Sequence, residues 1–183
     1  MPFDYLANVK KIFNQYKSLG DKTIEQLDDE KLLFWQYNDQ SNSIAIIIQH
    51  LWGNMLSRWT SFLTEDGEKE WRKRDAEFEK TIKTKEELII NWDAGWDCLF
   101  SALNSLTNED LGKTVYIRQE PHTVVDAINR QLAHYSYHVG QIVYLGKMQL
   151  KERWVSLSIP KKESLDVDDD KSLDVDEDND KEL

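Results

Sequence analysis

The sequence holds a single cysteine, Cys98, among 183 residues. No disulfide can form within the chain, and this usage fits a reducing compartment. The opening MPFDYLANVKKIF lacks the basic start, apolar run and small-residue cleavage site of a signal peptide. No long hydrophobic run is free of polar groups. The most apolar stretch, Ser43–Leu63, has the length to span a bilayer, but it carries Gln49, His50, Asn54 and Arg58, which are costly in lipid. It reads as a buried helix, and the chain as cytoplasmic with no membrane partner. Basic charge is scarce as well. Twenty-three Lys and Arg face 34 Asp and Glu, for a net charge of −11, which argues against a nucleic-acid phosphate surface as partner.

The acidity is unevenly spread. Residues 161–183 carry eleven acids against four lysines, so −7 of the net charge lies there. That segment repeats SLDVD at Ser164–Asp168 and Ser172–Asp176 and has no aromatic residue. It cannot bury a core and is expected to be a disordered tail. Its alternating aspartates lack the glycine and distal glutamate of an EF-hand loop. Residues 1–160 form the expected folded domain. Its length is ample for one core, and the chain is rich in tryptophan, with seven.

Nothing in the chain alternates as βαβ units do. Four long segments have helical character instead. Phe3–Leu19 places Phe3, Leu6, Val9, Phe13 and Tyr16 on one stripe, and a shorter piece, Thr23–Leu27, begins on a Thr23/Gln26 capping box. Ser43–Leu63 is the second segment. Thr84–Leu106 is the third, with Thr84 and Glu87 as a capping box. Thr123–Leu150 is the fourth, with Pro121 suited to its first turn. A charged loop, Thr64–Lys83, joins the second and third, and Thr114–Arg118 is a short β-like run. The expected fold is all-α, a four-helix bundle.

Two of these helices have almost no charge. Arg130 alone is charged between Ala127 and Gly146, and Arg58 alone between Ser43 and Leu63. A bundle helix normally shows a charged face, so both are expected to be covered on most sides. A second copy of the chain would cover them, giving a homodimer. The alternative is cover from the 64–83 loop and the Leu150–Pro160 segment.

Four residues separate His134 from His138 in RQLAHYSYHVGQIVYL. At about 100° per residue they lie about 40° apart on a helix. Arg130, Gln131 and Gln141 share their face, while Ile128, Leu132, Tyr135, Val139, Ile142 and Val143 form an apolar flank. This polar stripe has no Lys, Asp or Glu, as an enclosed site would have and a wet surface would not. Histidines at i and i+4 stand about 6 Å apart, close enough to bind one metal ion. His50 on the second helix is a candidate third ligand, with Gly53, Asn54 and Ser57 on its face leaving room beside it. Three neutral imidazoles leave a coordination position open, as in a catalytic rather than a structural site. Hydrogen-bonded core histidines are the competing reading. His122 reads as a surface or capping residue, and Cys98 as a small core residue.

Several segments carry a family resemblance: HLWGN (His50–Asn54), RDAEFE (Arg74–Glu79), Ile117-Arg118, AINRQLAHYSYHVGQIVYLGK (Ala127–Lys147) and the closing Trp154–Pro160. Over residues 1–160 the chain resembles the DinB/YfiT-like metalloenzyme superfamily, and within it a bacterial domain family of unknown function. The resemblance implies a bundle of up-down-down-up topology with long crossover loops, usually dimeric. It also implies a divalent metal held by one histidine of the second helix and two of the fourth, matching His50, His134 and His138.

Some members of that superfamily join a low-molecular-weight thiol to an electrophile, so a thiol S-transferase is the first functional expectation. A metal-dependent hydrolase ranks below it because the stripe holds no carboxylate to act as base. A non-enzymatic metal-binding dimer is the third reading. Zinc or nickel is the expected metal, with iron or copper also suited to three imidazoles. Gln141, Gln131 and Asn54 are candidates to orient substrate or hold ligands, and Arg130 or Arg118 to meet a substrate carboxylate.

Overall fold

A computed structural model describes residues 4–158; the acidic tail expectation lies outside the described residues. The fold is mostly helical. Its helices are α1 (Tyr5–Gln26), α2 (Glu30–Phe34), α3 (Ile44–Trp59), α4 (Lys85–Ser105) and α5 (Val124–Leu150). One antiparallel hairpin, β1 (Thr114–Ile117) with β2 (Glu120–Thr123), precedes α5. No described helix is long and apolar enough to cross a membrane.

Local chemistry explains the helix starts. Asp4, Ser43 and Thr84 each accept a backbone N–H from the first turn of α1, α3 and α4. Thr123 and Asp126 close a reciprocal capping box on α5, satisfying donors that have no intrahelical partner. Two expected starts are corrected. Thr23 caps nothing: α1 runs through it, and its hydroxyl donates to the Leu19 carbonyl inside the helix. Pro121 does not open α5; it stands in β2 opposite Tyr116. The second helix also ends sooner than its apolar pattern suggests. Ser61 takes a φ of 50° just past it and turns the chain.

The long helices meet as α1 with α5, α3 with α4, α3 with α5 and α1 with α4. Glycines set the closest approaches. A Cβ on Gly146 of α5 would lie 2.6 Å from Thr23 Cγ2 of α1, and one on Gly20 of α1 would overlap the Trp92 ring of α4. At the centre, Phe13, Trp59, Trp96 and Tyr135 pack mostly edge to face, with ring centroids 6.0–6.4 Å apart. The Trp59 indole donates to the Tyr135 hydroxyl at 3.0 Å, and that hydroxyl donates to Asn54 Oδ1 at 3.0 Å. This chain ties the core to the wall of the site.

No residue of α3 is exposed. Its cover comes from within the chain, so α3 needs no second copy to hide it. The 64–83 loop supplies much of this cover. The Gln49 amide donates to the carbonyls of Ala76, Glu77 and Glu79, and Ser57 donates to that of Gly67. On α5 the outcome differs: Tyr137 and Tyr144 of its charge-poor stretch remain exposed, as does Met148 just beyond it.

Candidate metal centre

Three imidazoles converge where α3 faces α5. His50 is buried, and His134 and His138 are half-buried one turn apart on α5. Ring centroids are 4.7 Å apart for His134–His138, 5.3 Å for His50–His134 and 5.0 Å for His50–His138. One ring nitrogen from each lies within 4.8 Å of the others.

The outward nitrogens of two rings are committed. His50 Nδ1 donates to Glu77 Oε2 at 2.8 Å, and His138 Nδ1 donates to Gln141 Oε1 at 2.8 Å. A neutral imidazole that donates from Nδ1 presents a lone pair at Nε2. His50 Nε2 lies 3.2 Å from His134 Nε2, close to the roughly 3.3 Å between two nitrogens on a tetrahedral zinc with 2.0–2.1 Å bonds. Either a proton on His134 or a cation has to lie between them. The donor set therefore fits a divalent ion of borderline softness.

Burial and neighbouring charge keep His134 and His138 neutral, the state a metal ligand requires. Burial first, then the neighbouring His138 and His50 and the charges of Arg58 and Arg72, pushes His134 down to about 3. Burial also lowers His138, with Gln141 opposing.

Glu77 had no assigned role in the sequence. Burial raises its carboxyl, but hydrogen bonds from Arg72 and His50 outweigh burial and hold it below the ordinary glutamate range. Arg72 grips it with both arms of the guanidinium, Nε to Oε1 at 2.7 Å and Nη2 to Oε2 at 2.9 Å. This Arg–carboxylate–imidazole line fixes the tautomer and ring plane of His50. Gly53 explains how the carboxylate gets in. A Cβ there would lie 2.5 Å from Glu77 Oε1, so the space beside His50 holds Glu77 rather than a ligand. A glycine three residues after a histidine in mid-helix was the available signal. Phe78 stacks on His50 at 5.0 Å, and Arg74 lies over Phe78 at 5.3 Å.

The histidines open into a pocket of about 420 Å³. Asn54, Gln131, Arg118 and Arg130 line it, as do Arg58, Arg72 and Arg74. Gln141 sits behind His138. Ser57 pins the loop at Gly67 and is not a pocket residue. His122 lies in β2 opposite Val115, outside the cluster. Cys98 is half-buried, 3.7 Å from Thr60 Oγ1, with its thiol pushed up by burial.

The model of a family described as a protein of unknown function (DUF1572) matches residues 1–163, a span that contains every residue of this centre. No curated protein matches the chain.

Proposed function

The chain belongs to the DUF1572 family, and from that premise we propose that it is a divalent-metal-dependent enzyme of DinB type. In this reading α1, α3, α4 and α5 form the up-down-down-up four-helix bundle, and the reaction joins a low-molecular-weight thiol to an electrophile. One observation carries it. Glu77 and Gln141 hold the Nδ1 protons of His50 and His138, so both rings keep a free lone pair at Nε2, and that of His50 lies 3.2 Å from His134 Nε2.

A divalent ion held by His50, His134 and His138 would supply Lewis acidity toward a thiol sulfur. The chain's own residues do the rest. Glu77 and Gln141 hold two ligand rings in place. Asn54, fixed by Tyr135, keeps the pocket wall polar, and Phe78 shields His50 from water. In the transfer the thiol gives up its proton and its sulfur pair forms the new S–C bond. The leaving group departs with the pair of the bond that breaks, and the thiol proton passes to it through solvent.

Glu77 bears on the hydrolase reading, because a carboxylate does stand beside the centre. Both its oxygens are taken by Arg72 and one of them also by His50, so it is poorly placed to accept a proton from water. The transferase reading stays ahead. The non-enzymatic dimer is the remaining alternative, and the exposed Tyr137–Tyr144–Met148 face of α5 is where a homodimer would form.

The test starts from protein purified without a histidine tag. Stoichiometric zinc or nickel is expected, together with metal-dependent loss of thiol when a low-molecular-weight thiol meets a model electrophile. Absence of metal removes the centre. Metal without thiol consumption removes the transferase and leaves the hydrolase or the dimer.

A further inference from the structure

The chain has six arginines, and five line the histidine pocket: Arg58, Arg72, Arg74, Arg118 and Arg130. None of the described lysines does, although they are far more numerous. In so acidic a chain, general surface charge does not produce this segregation. Guanidinium differs from ammonium in its planar fork, which matches carboxylate and phosphate oxygens two at a time.

Charge pairing within the chain leaves a surplus. Glu77 answers Arg72, and Glu68 answers Arg58 and Arg118. Among the described residues the one acid paired with Arg74 is the fully exposed Asp75 at 4.0 Å. Arg130 makes no ion pair or side-chain hydrogen bond among the described residues. Two buried polar atoms of the pocket-lining residues also find no partner among the described residues, the donor Arg58 Nε and the acceptor Gln131 Oε1, and such groups are normally satisfied.

Arg118 adds a third, independent observation. It and Gln119 form the hairpin turn with φ of 56° and 66°, a left-handed backbone that glycine or asparagine would adopt more easily. The Asp66 carboxylate holds the turn by accepting both backbone N–H groups, at 2.9 and 2.7 Å. Strain of this kind persists where the surroundings enforce it, and here it carries an arginine to the pocket.

We infer that the pocket takes a small substrate with two acidic groups, carboxylate or phosphate, gripped by Arg74 and Arg130. The inference rests on the reading of this pocket as the substrate site and names its substrate class. The grip itself uses no metal.

The test is calorimetric titration of the full chain, metal-free and metal-loaded, with succinate, pyrophosphate, acetate and neutral succinamide. Succinate or pyrophosphate is expected to bind at least tenfold tighter than acetate or succinamide, in both metal states, and to weaken as salt rises. Which of the two binds assigns carboxylate or phosphate. Arg74→Gln and Arg130→Gln should each weaken the dianion roughly ten- to a hundredfold, the size of a lost charge-assisted contact. Arg153→Gln, outside the pocket, should not. Succinamide binding as well as succinate, or unchanged affinity in both pocket variants with helical circular dichroism intact, overturns the inference. Dianion binding without stoichiometric metal sinks the metal centre alone; metal without charge discrimination sinks this inference alone.

Discussion

Glu77 accepts the Nδ1 proton of His50 at 2.8 Å while Arg72 holds the same carboxylate from the other side. The imidazole is therefore aimed by a charged pair that arrives from a loop, not from either helix bearing the histidines. Outer partners of this kind typically tune metal affinity by about 10- to 100-fold. Glu77→Gln keeps the shape but weakens the grip on Arg72 and His50. Metal affinity, read by competition with a chromogenic chelator, should fall about 10- to 100-fold with little change in helicity. Undiminished affinity would remove Glu77 from the centre.

Gly53→Ala reaches the same carboxylate by a different route. The new methyl would lie 2.5 Å from Glu77 Oε1, and Arg72 leaves that oxygen nowhere to go. The variant should lose about 1–3 kcal/mol of stability from overpacking and lose metal affinity in step with Glu77→Gln. If Gly53→Ala binds metal as tightly as the parent, the glycine is not the slot for the carboxylate.

Direct removal of a ligand is the simplest case. His134→Ala should abolish stoichiometric metal, measured by elemental analysis of untagged protein, while leaving the helices folded. His122→Ala, in the hairpin and outside the cluster, should retain it. Equal metal in both variants would mean that the three imidazoles only pack.

The histidines were legible in the sequence for a geometric reason. His134, His138 and Gln141 belong to one helix, where a 3.6-residue period fixes who shares a face. His50 needed only a second helix with a polar gap in its apolar pattern. Glu77 and Arg72 were not legible in this way. Their position follows from a loop without period, tied down because Gln49 donates to three of its carbonyls. The same loop explains why α3 is hidden without a second copy. Thr23 misled for a related reason. A capping pair is a local signal, and packing of Gly20 and Thr23 against α4 and α5 carries the helix past it.

Acid should destabilise the metal-free fold through His134. Its folded value is pushed down to about 3 from an ordinary value of 6.5. Between those values the unfolded chain binds a proton that the folded chain refuses, so stability falls as pH drops. The contribution is fully present above about 6.5 and is lost progressively toward about 3. His138 shifts in the same direction. Urea midpoints of metal-free protein should fall between pH 7.5 and pH 5, and less steeply in His134→Gln. A midpoint that does not respond to pH in the parent would mean the ring is not buried as described.

Two glycines in helix interiors should respond to alanine with opposite signs. Alanine gains about 1 kcal/mol over glycine by helix propensity alone. Gly140 of α5 is exposed and has no heavy atom within 4 Å of a new Cβ, so Gly140→Ala should realise that gain. Gly20 of α1 faces the Trp92 ring of α4, which a new methyl would overlap. The ring cannot swing aside freely, because its indole N–H donates to Asp21 Oδ1 at 2.6 Å and the ring packs edge to face with Trp96 at 5.4 Å. Overpacking of about 1–3 kcal/mol then offsets the propensity gain, and the α1–α4 contact opens. Thermal or urea unfolding should show Gly140→Ala more stable than the parent and Gly20→Ala less. Stabilisation by both would mean that α1 does not approach α4 through this glycine.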